Sequence, residues 1–423
     1  MASPWAAETL TSYKPFGGDA TGTVDWKTKL KGKIMNRFIG LTAIAEAALI
    51  LGLTISAPAA RAQDLSTMRA HLPLHILAPA GAHPELLPQG TETPGSIACV
   101  YQLVTQTRGC PITSKALPTG GIGAIALVDA FDNPDVVTDL KVFARHFGIK
   151  YKFFEQVYAA GTQPPIDYGW AVEEALDIEM AAAMAPNAKI YLVEAASDSL
   201  SDLYFAEQVA ADLVVKAGGG VVSNSWQVGE YQGELQDEQT YFSRPNVVYF
   251  ASSGDTGFTG VPAVFANVVG VGGTLIGRLP AGDFAAEMYW YPYGGGGLSQ
   301  FEPRPAYQNI IKGIVGSQRG VPDLAAVATN VAMYDHLNGG WFSVAGTSIS
   351  SPLLAGIVSA AASKAVSTQA ELTQIYKDYA RKKARTAEFR DITYPDVGAG
   401  RGNCEVGWDF CSGVGTPLGY QGK

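Results

Sequence analysis

Chemistry in this chain must start from serine. The stretch "AGTSISSPLLAGI" (345–357) sets Ser348, Ser350 and Ser351 ahead of a proline and an apolar run. Such a turn is either a nucleophile's seat or ordinary helix capping, since Ser and Thr before a helix and Pro in its first turn are common capping chemistry. A nucleophilic serine needs a base, usually histidine. The five histidines are His71, His75, His83, His146 and His336. The first three lie in an N-terminal leader, His146 closes a helical pattern in "FARHFG", and His336 sits in the turn-like "YDHLNGG". None has the small-residue helical setting of a triad base.

Carboxylates offer another base. "AVEEALDIEMAAAMAP" reads as a helix in which Glu173 and Asp177, four residues apart, share one face. If exposed, the pair repels by a few tenths of a kcal/mol and is a solvated face. The continuation into "AAAMAP" puts part of the helix in the core instead. Two carboxyls held close in a partly dry site share a proton at mildly acidic pH, and such a pair can take the proton of a serine. Glu174 and Glu179 lack the four-residue spacing to Asp177. Three further polar clusters follow strand-like runs: "DAFD" with Asp129 and Asp132, "SNSW" around Ser225, and "SSGDTG" around Asp255. Each alone also reads as a solvated turn.

The elements that must position these groups follow a βαβ rhythm. Strand-like runs cover Ile122–Asp129, Ala188–Ala195, Gly220–Trp226, Val247–Ser253 and Val268–Gly273. Several are continuously apolar, as parallel strands covered on both faces are. Helical patterns at Val136–Phe147, Ala171–Ala185, Ser201–Ala217 and Pro352–Lys364 intervene or follow. The expected fold is α/β, a doubly wound and mostly parallel sheet flanked by helices. Sites in such sheets gather at the carboxyl ends of strands. There is no internal repeat and no second domain.

Taken together and in order, these motifs resemble the sedolisins, the serine-carboxyl peptidases, from about Thr93 to Gly419. The resemblance implies a subtilisin-like fold with a single catalytic domain and peptide-bond hydrolysis at acidic pH. "GTSISSP" matches the family's nucleophile signature and implies Ser348 as nucleophile, leaving Ser350 and Ser351 as cap and packing residues. "EEALDIE" implies Glu173 as general base and Asp177 as the residue that orients it and shares its proton. "SSGDTG" implies Asp255 as an oxyanion acid. "GGGGLSQFEPRPAYQ" and "RGVPDLAA" are also similar to family segments. Asp255 must be protonated to donate to an oxyanion, and an ordinary Asp titrates near ~3.9, so acid and partial burial are both required. Asp129 and Asp132 resemble the strand-end position of the subtilisin aspartate; without a partner histidine they read as structural or cleft groups.

The segment "FRDITYPDVGAGRGNCEVGWDFCSGVGTPLG" resembles the family's calcium loop. The resemblance implies Ca2+ held by the carboxylates of Asp391 and Asp409 and the backbone carbonyls of Ile392, Glu405 and Gly407, a hard oxygen set that suits that ion. The bland alternative is that both aspartates only cap turns. Glu405 departs from the family's usual glycine, and Gln227 after "SNSW" does likewise. Sedolisins commonly carry a long folded pro-region, whereas about thirty residues are expected here between the cleavage point and the catalytic domain.

Residues 38–59 are apolar apart from Glu46, follow Lys31, Lys33 and Arg37, and precede "ARA". That pattern describes a secretory signal peptide, with a membrane anchor as the alternative. The expected organisation is an upstream extension at 1–34, a signal peptide at 35–62, a leader or linker at 63–92 and the peptidase domain at 93–423. Cys99 with Cys110, and Cys404 with Cys411, fit two local disulfides in an oxidising compartment, secreted or periplasmic. The net charge of -9 argues against a nucleic-acid surface. The expected protein is a monomer acting on proteins or peptides, with no stable membrane association once the signal is cut. Two other readings compete: a catalytically inactive secreted binding protein on this fold, and a neutral subtilisin-like protease.

Overall fold

Alternate residues of the first central strand belong to two different cores, which is why its run is apolar throughout. The computed structural model describes residues 63–78, 86–363, 365–394 and 404–422. The expected extension and signal peptide lie outside these residues.

In chain order the first half forms β1 (His75–Ala78), α1 (Pro94–Val100), β2 (Ala124–Ala130), α2 (Val136–Phe147), β3 (Phe153–Tyr158), α3 (Tyr168–Met184), β4 (Lys189–Ala195), α4 (Leu200–Lys216), β5 (Gly220–Asn224), α5 (Glu234–Tyr241) and β6 (Val247–Ser252). The second half adds β7 (Val268–Arg278), β8 (Phe284–Tyr289), β9 (Gly297–Pro303), α6 (Lys312–Val315), β10 (Gln318–Val321), β11 (Leu324–Val327), β12 (Thr329–Asp335), β13 (Gly340–Ala345), α7 (Thr347–Ala360), α8 (Thr368–Ala380) and α9 (Lys382–Glu388).

The main sheet runs β11-β7-β6-β5-β2-β4-β3, with β8 added antiparallel to β7. All its other pairings are parallel. Connections from β2 leave first toward β3 and β4, then cross to β5 and β6, so the strand order reverses beside β2. Such a switch point opens a crevice at the strand ends. Ile125 and Leu127 of β2 pack with α2, α3 and α7 in one core. Ala124, Ala126 and Val128 pack with α4 in the other. The expected mostly parallel α/β sheet is therefore present.

Helix α3 starts where Asp167 accepts from the amides of Gly169 and Trp170 at 2.9 and 3.0 Å, a side-chain cap. It is buried from Trp170 to Met184, on every side. Its small residues let α7 approach closely: a Cβ on Gly356 would stand 2.7 Å from the Met184 Cβ.

Helix α7 corrects one expectation. It begins at Thr347, so Pro352 falls in its second turn and Ser350 and Ser351 are inside it, not caps. Proline has no amide to give the carbonyl four residues back. That carbonyl is Ser348's, and the Ser225 hydroxyl lies 3.4 Å from it. The Ser350 hydroxyl donates to the Ala326 and Val327 carbonyls, each at 3.1 Å, and Ser351 pairs with Ser223 at 2.9 Å. The two serines tie α7 to the sheet. Cys99–Cys110 and Cys404–Cys411 both form, as expected.

Candidate active site

The period of β2 aims Asp129 the same way as Ile125 and Leu127, toward α3 and α7. There it meets Glu173 and Asp177, and all three are fully buried. Among the described residues no donor reaches Asp129 or Glu173 with hydrogen-bond geometry. Ser348 and Asp177 nonetheless stand near enough to Glu173 to act on its ionisation. Asp177 accepts from the Ser225 hydroxyl at 2.8 Å. The Ser348 hydroxyl lies 3.5 Å from the Ser225 carbonyl. Glu174 is raised by burial and, among charges, most by Glu194, and Glu179 accepts from the Tyr334 amide.

Asp255, on the loop after β6, meets the start of α7. Its Oδ1 accepts from the amide and the hydroxyl of Thr347, at 2.9 and 2.8 Å. Gly346 offers no side chain to cap the helix, so a carboxylate from a distant loop does so. Asp255 also bears on Glu173 by charge. The structure thus brings Ser348, Glu173, Asp177 and Asp255 together, from three separate segments.

Burial drives the electrostatics. It holds Glu173 and Asp177 well above the ordinary carboxyl range, and the Asp129 charge raises both further. Asp129 itself is pushed up to about 8 by burial. The nearby hydroxyls of Ser348 and Ser225 pull Glu173 and Asp177 back, respectively. Burial raises Asp255 too, opposed chiefly by its contact with His75. Acids in this state hold protons at mild pH and can pass one to or from a hydroxyl.

Two groups were missed as part of this site. Asp129 was legible only as a strand-end acid, and the strand's period is the signal that aims it. His75, set aside with the leader, has its Nε2 3.3 Å from Asp255 Oδ2. It reaches Asp255, whereas the Ser348 hydroxyl faces the Ser225 carbonyl. His146 packs on Trp341 with ring centroids 4.6 Å apart, and the His336 amide donates to Asp139. His83 lies outside the described residues.

At the C-terminal loop, Asp391 Oδ2 accepts from the Gly407 amide and Asp409 Oδ1 from the Cys411 and Ser412 amides. Asp391 Oδ1 and Asp409 Oδ2 are buried without hydrogen-bond partners among the described residues. Burial pushes Asp409 up to about 7, and the Asp391 charge contributes. Cys404 and Cys411 lie beside Asp409 but are bonded to each other and present no thiolate. Two orphaned carboxylate oxygens suit a hard divalent cation. Ile392, Glu405 and Gly407 belong to the same two segments; part of the loop between them, residues 395–403, lies outside the described residues.

The sheet, the buried acids and the serine at the head of α7 define a subtilisin-like protein. Residues 167–396 match the Subtilase family. The chain belongs to that family, and the relatives it is similar to include sedolisin-type peptidases. It is 28% identical over 290 residues to kumamolisin of Bacillus sp. (strain MN-32), covering 59% of this chain and 50% of that protein. Over 108 residues it is 32% identical to sedolisin of Pseudomonas sp. (strain 101), covering 23% and 18%. Against tripeptidyl-peptidase 1 of Dictyostelium discoideum it is 25% identical over 325 residues, covering 66% and 50%. The chain thus spans half the length of two of these relatives and less of the third. The solved structure of Pseudomonas sedolisin, complexed with two molecules of pseudo-iodotyrostatin, superposes with a TM-score of 0.61 at 20% identity over 77% of this chain and 95% of that one, a likeness of fold.

Proposed function

We propose that this protein is a serine-carboxyl endopeptidase that cuts protein or peptide substrates in acid. One observation carries the reading: Ser348 sits beside the buried carboxyls Glu173 and Asp177, both raised by burial, and among the described residues no histidine is bonded to its hydroxyl. Ser348 Oγ turns from the Ser225 carbonyl and attacks the substrate carbonyl, and Glu173 takes its proton. Asp177 orients Glu173 and shares the proton, with Asp129 keeping both acids reluctant to ionise. The neutral Asp255 carboxyl and the Ser348 amide stabilise the oxyanion. Glu173 then returns the proton to the leaving amine, and water splits the acyl-enzyme. Losing one oxyanion donor in comparable chemistry costs about 3–4 kcal/mol.

A calcium ion held by Asp391 and Asp409, with the carbonyls of Ile392, Glu405 and Gly407, would brace the C-terminal loop rather than join the chemistry. The proposed setting is outside the cytoplasm, consistent with two disulfides. Among the described residues no helix is long and apolar enough to cross a membrane. The proposed unit is one peptidase domain, 93–423, preceded by the leader at 63–92.

The experiment is a pH–rate profile on denatured protein substrate, run beside Ser348→Ala. Hydrolysis that is maximal in acid, fades toward neutrality and vanishes in the variant is expected. Persistent cleavage by Ser348→Ala sinks the nucleophile assignment; an undiminished rate at pH 8 sinks the carboxyl mechanism.

A further inference from the structure

The loops that leave β5 and β6 stand on either side of the serine. Ser225, just past β5, has its carbonyl 3.5 Å from the Ser348 hydroxyl. Asp255, shortly past β6, meets the head of α7 through Thr347. The two strands are parallel neighbours, so their loops form the two banks of one crevice. A carbonyl carbon attacked by Ser348 Oγ, with its oxygen turned to Asp255, lies between these banks. The side chain of the residue that carries it enters the gap between 225–227 and 253–254.

That gap is short and its banks are fixed. Val228 and Val261 exchange both backbone bonds, at 3.0 and 2.9 Å, and tie the two loops together beyond Gln227. Behind the second bank, the Gly295 amide donates to the Gly254 carbonyl and the Ser253 hydroxyl to the Gly295 carbonyl, each at 2.7 Å. The contact leaves no slack: a Cβ on Gly295 would stand 2.1 Å from the Ser253 oxygen.

Gln227 fills what remains. Its buried side chain crosses from the first bank to the second. A Cβ on Gly254 would stand 2.3 Å from its Oε1, and one on Gly260 3.1 Å from its Nε2. Nε2 donates to the Ser253 carbonyl at 3.4 Å. That bond turns Oε1 to the Gly254 side, where it is buried with no hydrogen-bond partner among the described residues. Buried acceptors are normally paired, and the group placed to pair with this one is a substrate side chain entering the gap.

We propose that Gln227 sets the specificity of the peptidase. It shortens the gap so that the residue whose carbonyl Ser348 attacks must be small, and its Oε1 selects serine over alanine by accepting from the hydroxyl. The proposal deepens the serine-carboxyl peptidase reading and rests on it.

Size and polarity are read by different atoms. A leucine or phenylalanine side chain has to displace the Gln227 amide, break its bond to Ser253 and cover Oε1 with carbon. The banks cannot spread to spare it, because the Val228–Val261 pairing holds one end and the Gly295 contacts hold the other. Alanine enters without displacing the amide but leaves Oε1 unpaired. Serine is nearly the same size and brings the missing donor. Discrimination of this kind works by excluding the wrong side chain as much as by holding the right one.

The test uses the full chain in acid and a set of peptides that differ only in the residue before the cleaved bond: serine, alanine, leucine or phenylalanine. Mass spectrometry of the products fixes the bond that is cut. For the wild type, kcat/KM should be about tenfold or more higher with serine and alanine than with leucine and phenylalanine. Serine should exceed alanine by about threefold. Gln227→Gly empties the gap and should raise leucine and phenylalanine by about tenfold or more. Gln227→Leu keeps the volume without the acceptor, so it should still reject the large residues while cutting after serine and alanine equally. Cleavage sites in a denatured protein digested by the wild type give the same preference without any variant. Leucine or phenylalanine cut by the wild type as fast as alanine, or an unchanged order in Gln227→Gly, overturns the proposal and leaves the peptidase reading standing. Equal wild-type rates after serine and alanine overturn the role of Oε1. No hydrolysis of peptide or protein by the wild type at any pH overturns the peptidase reading, and this proposal with it.

Discussion

Thr347 gives both its amide and its hydroxyl to a single oxygen of Asp255, at 2.9 and 2.8 Å. One carboxyl thus caps α7, the helix that carries Ser348, and keeps its second oxygen, Oδ2, on the side of His75. The helix N-terminus and the imidazole favour the anion, while burial favours the acid. Burial prevails, and Asp255 lies above the ordinary range.

Substitutions at Asp255 should separate its two roles. Asp255→Ala is expected to lower kcat about 10²–10³-fold. Asp255→Asn keeps a donor that does not titrate, so it should retain more activity than the alanine variant and extend it toward neutral pH. Identical rates and profiles for the two would reject the oxyanion role.

Asp129→Asn tests the third acid. Burial pushes Asp129 up to about 8, so its charge, which raises Glu173 and Asp177, appears only as the pH nears that value. Asp129→Asn should therefore leave the acidic limb of the pH–rate profile in place and lower the titration of the neighbouring acids near neutrality. An acidic limb that shifts would contradict a neutral Asp129 in the working range.

Stability should fall as pH rises. The buried acids Glu173, Asp177, Glu207 and Asp129 titrate higher folded than unfolded. The folded chain therefore binds more protons between the two values, and stability drains with rising pH. Their contribution is full below about pH 4 and is lost as pH passes the folded values, near about 8 for Asp129. Calorimetry of Ser348→Ala should show a higher Tm at pH 4–5 than at pH 8; the reverse order would contradict burial as the dominant influence.

Calcium removal offers a separate check. EDTA should lower the Tm of the wild type and leave that of Asp409→Ala unchanged. Because Asp409 is raised to about 7, calcium should bind more tightly at pH 8 than at pH 5, as titration calorimetry would show. A Tm indifferent to chelator in both proteins would return Asp391 and Asp409 to simple turn capping.

Arg319 and Asp323, both fully buried, form an ion pair at 2.5 and 2.9 Å. Tyr376 donates to the same carboxylate at 2.9 Å. Arg319→Met should cost about 3–5 kcal/mol in urea unfolding, since it strands the aspartate in the core. A loss below about 1 kcal/mol, the scale of an exposed pair, would refute that account.

Much of this protein is written locally. Continuous apolar runs announced β2, β4, β5, β6 and β7, because parallel strands covered on both faces have no polar side to show. The four-residue spacing of Glu173 and Asp177 put both on one helix face, and the cysteine spacings anticipated both disulfides. Sequence pattern could not say where α7 begins, because its cap is Asp255, 92 residues away. Nor could it show that Asp129 joins Glu173, which depends on which face of β2 turns toward α3. Least legible was the leader: its bonds to Asp198, Gln227 and Ser348 bridge more than a hundred residues of chain and run through backbone atoms that every sequence shares. Residue types and short-range periods determined the chemistry available. Only the packing of distant segments decided which acids lose water together and what lies across the serine.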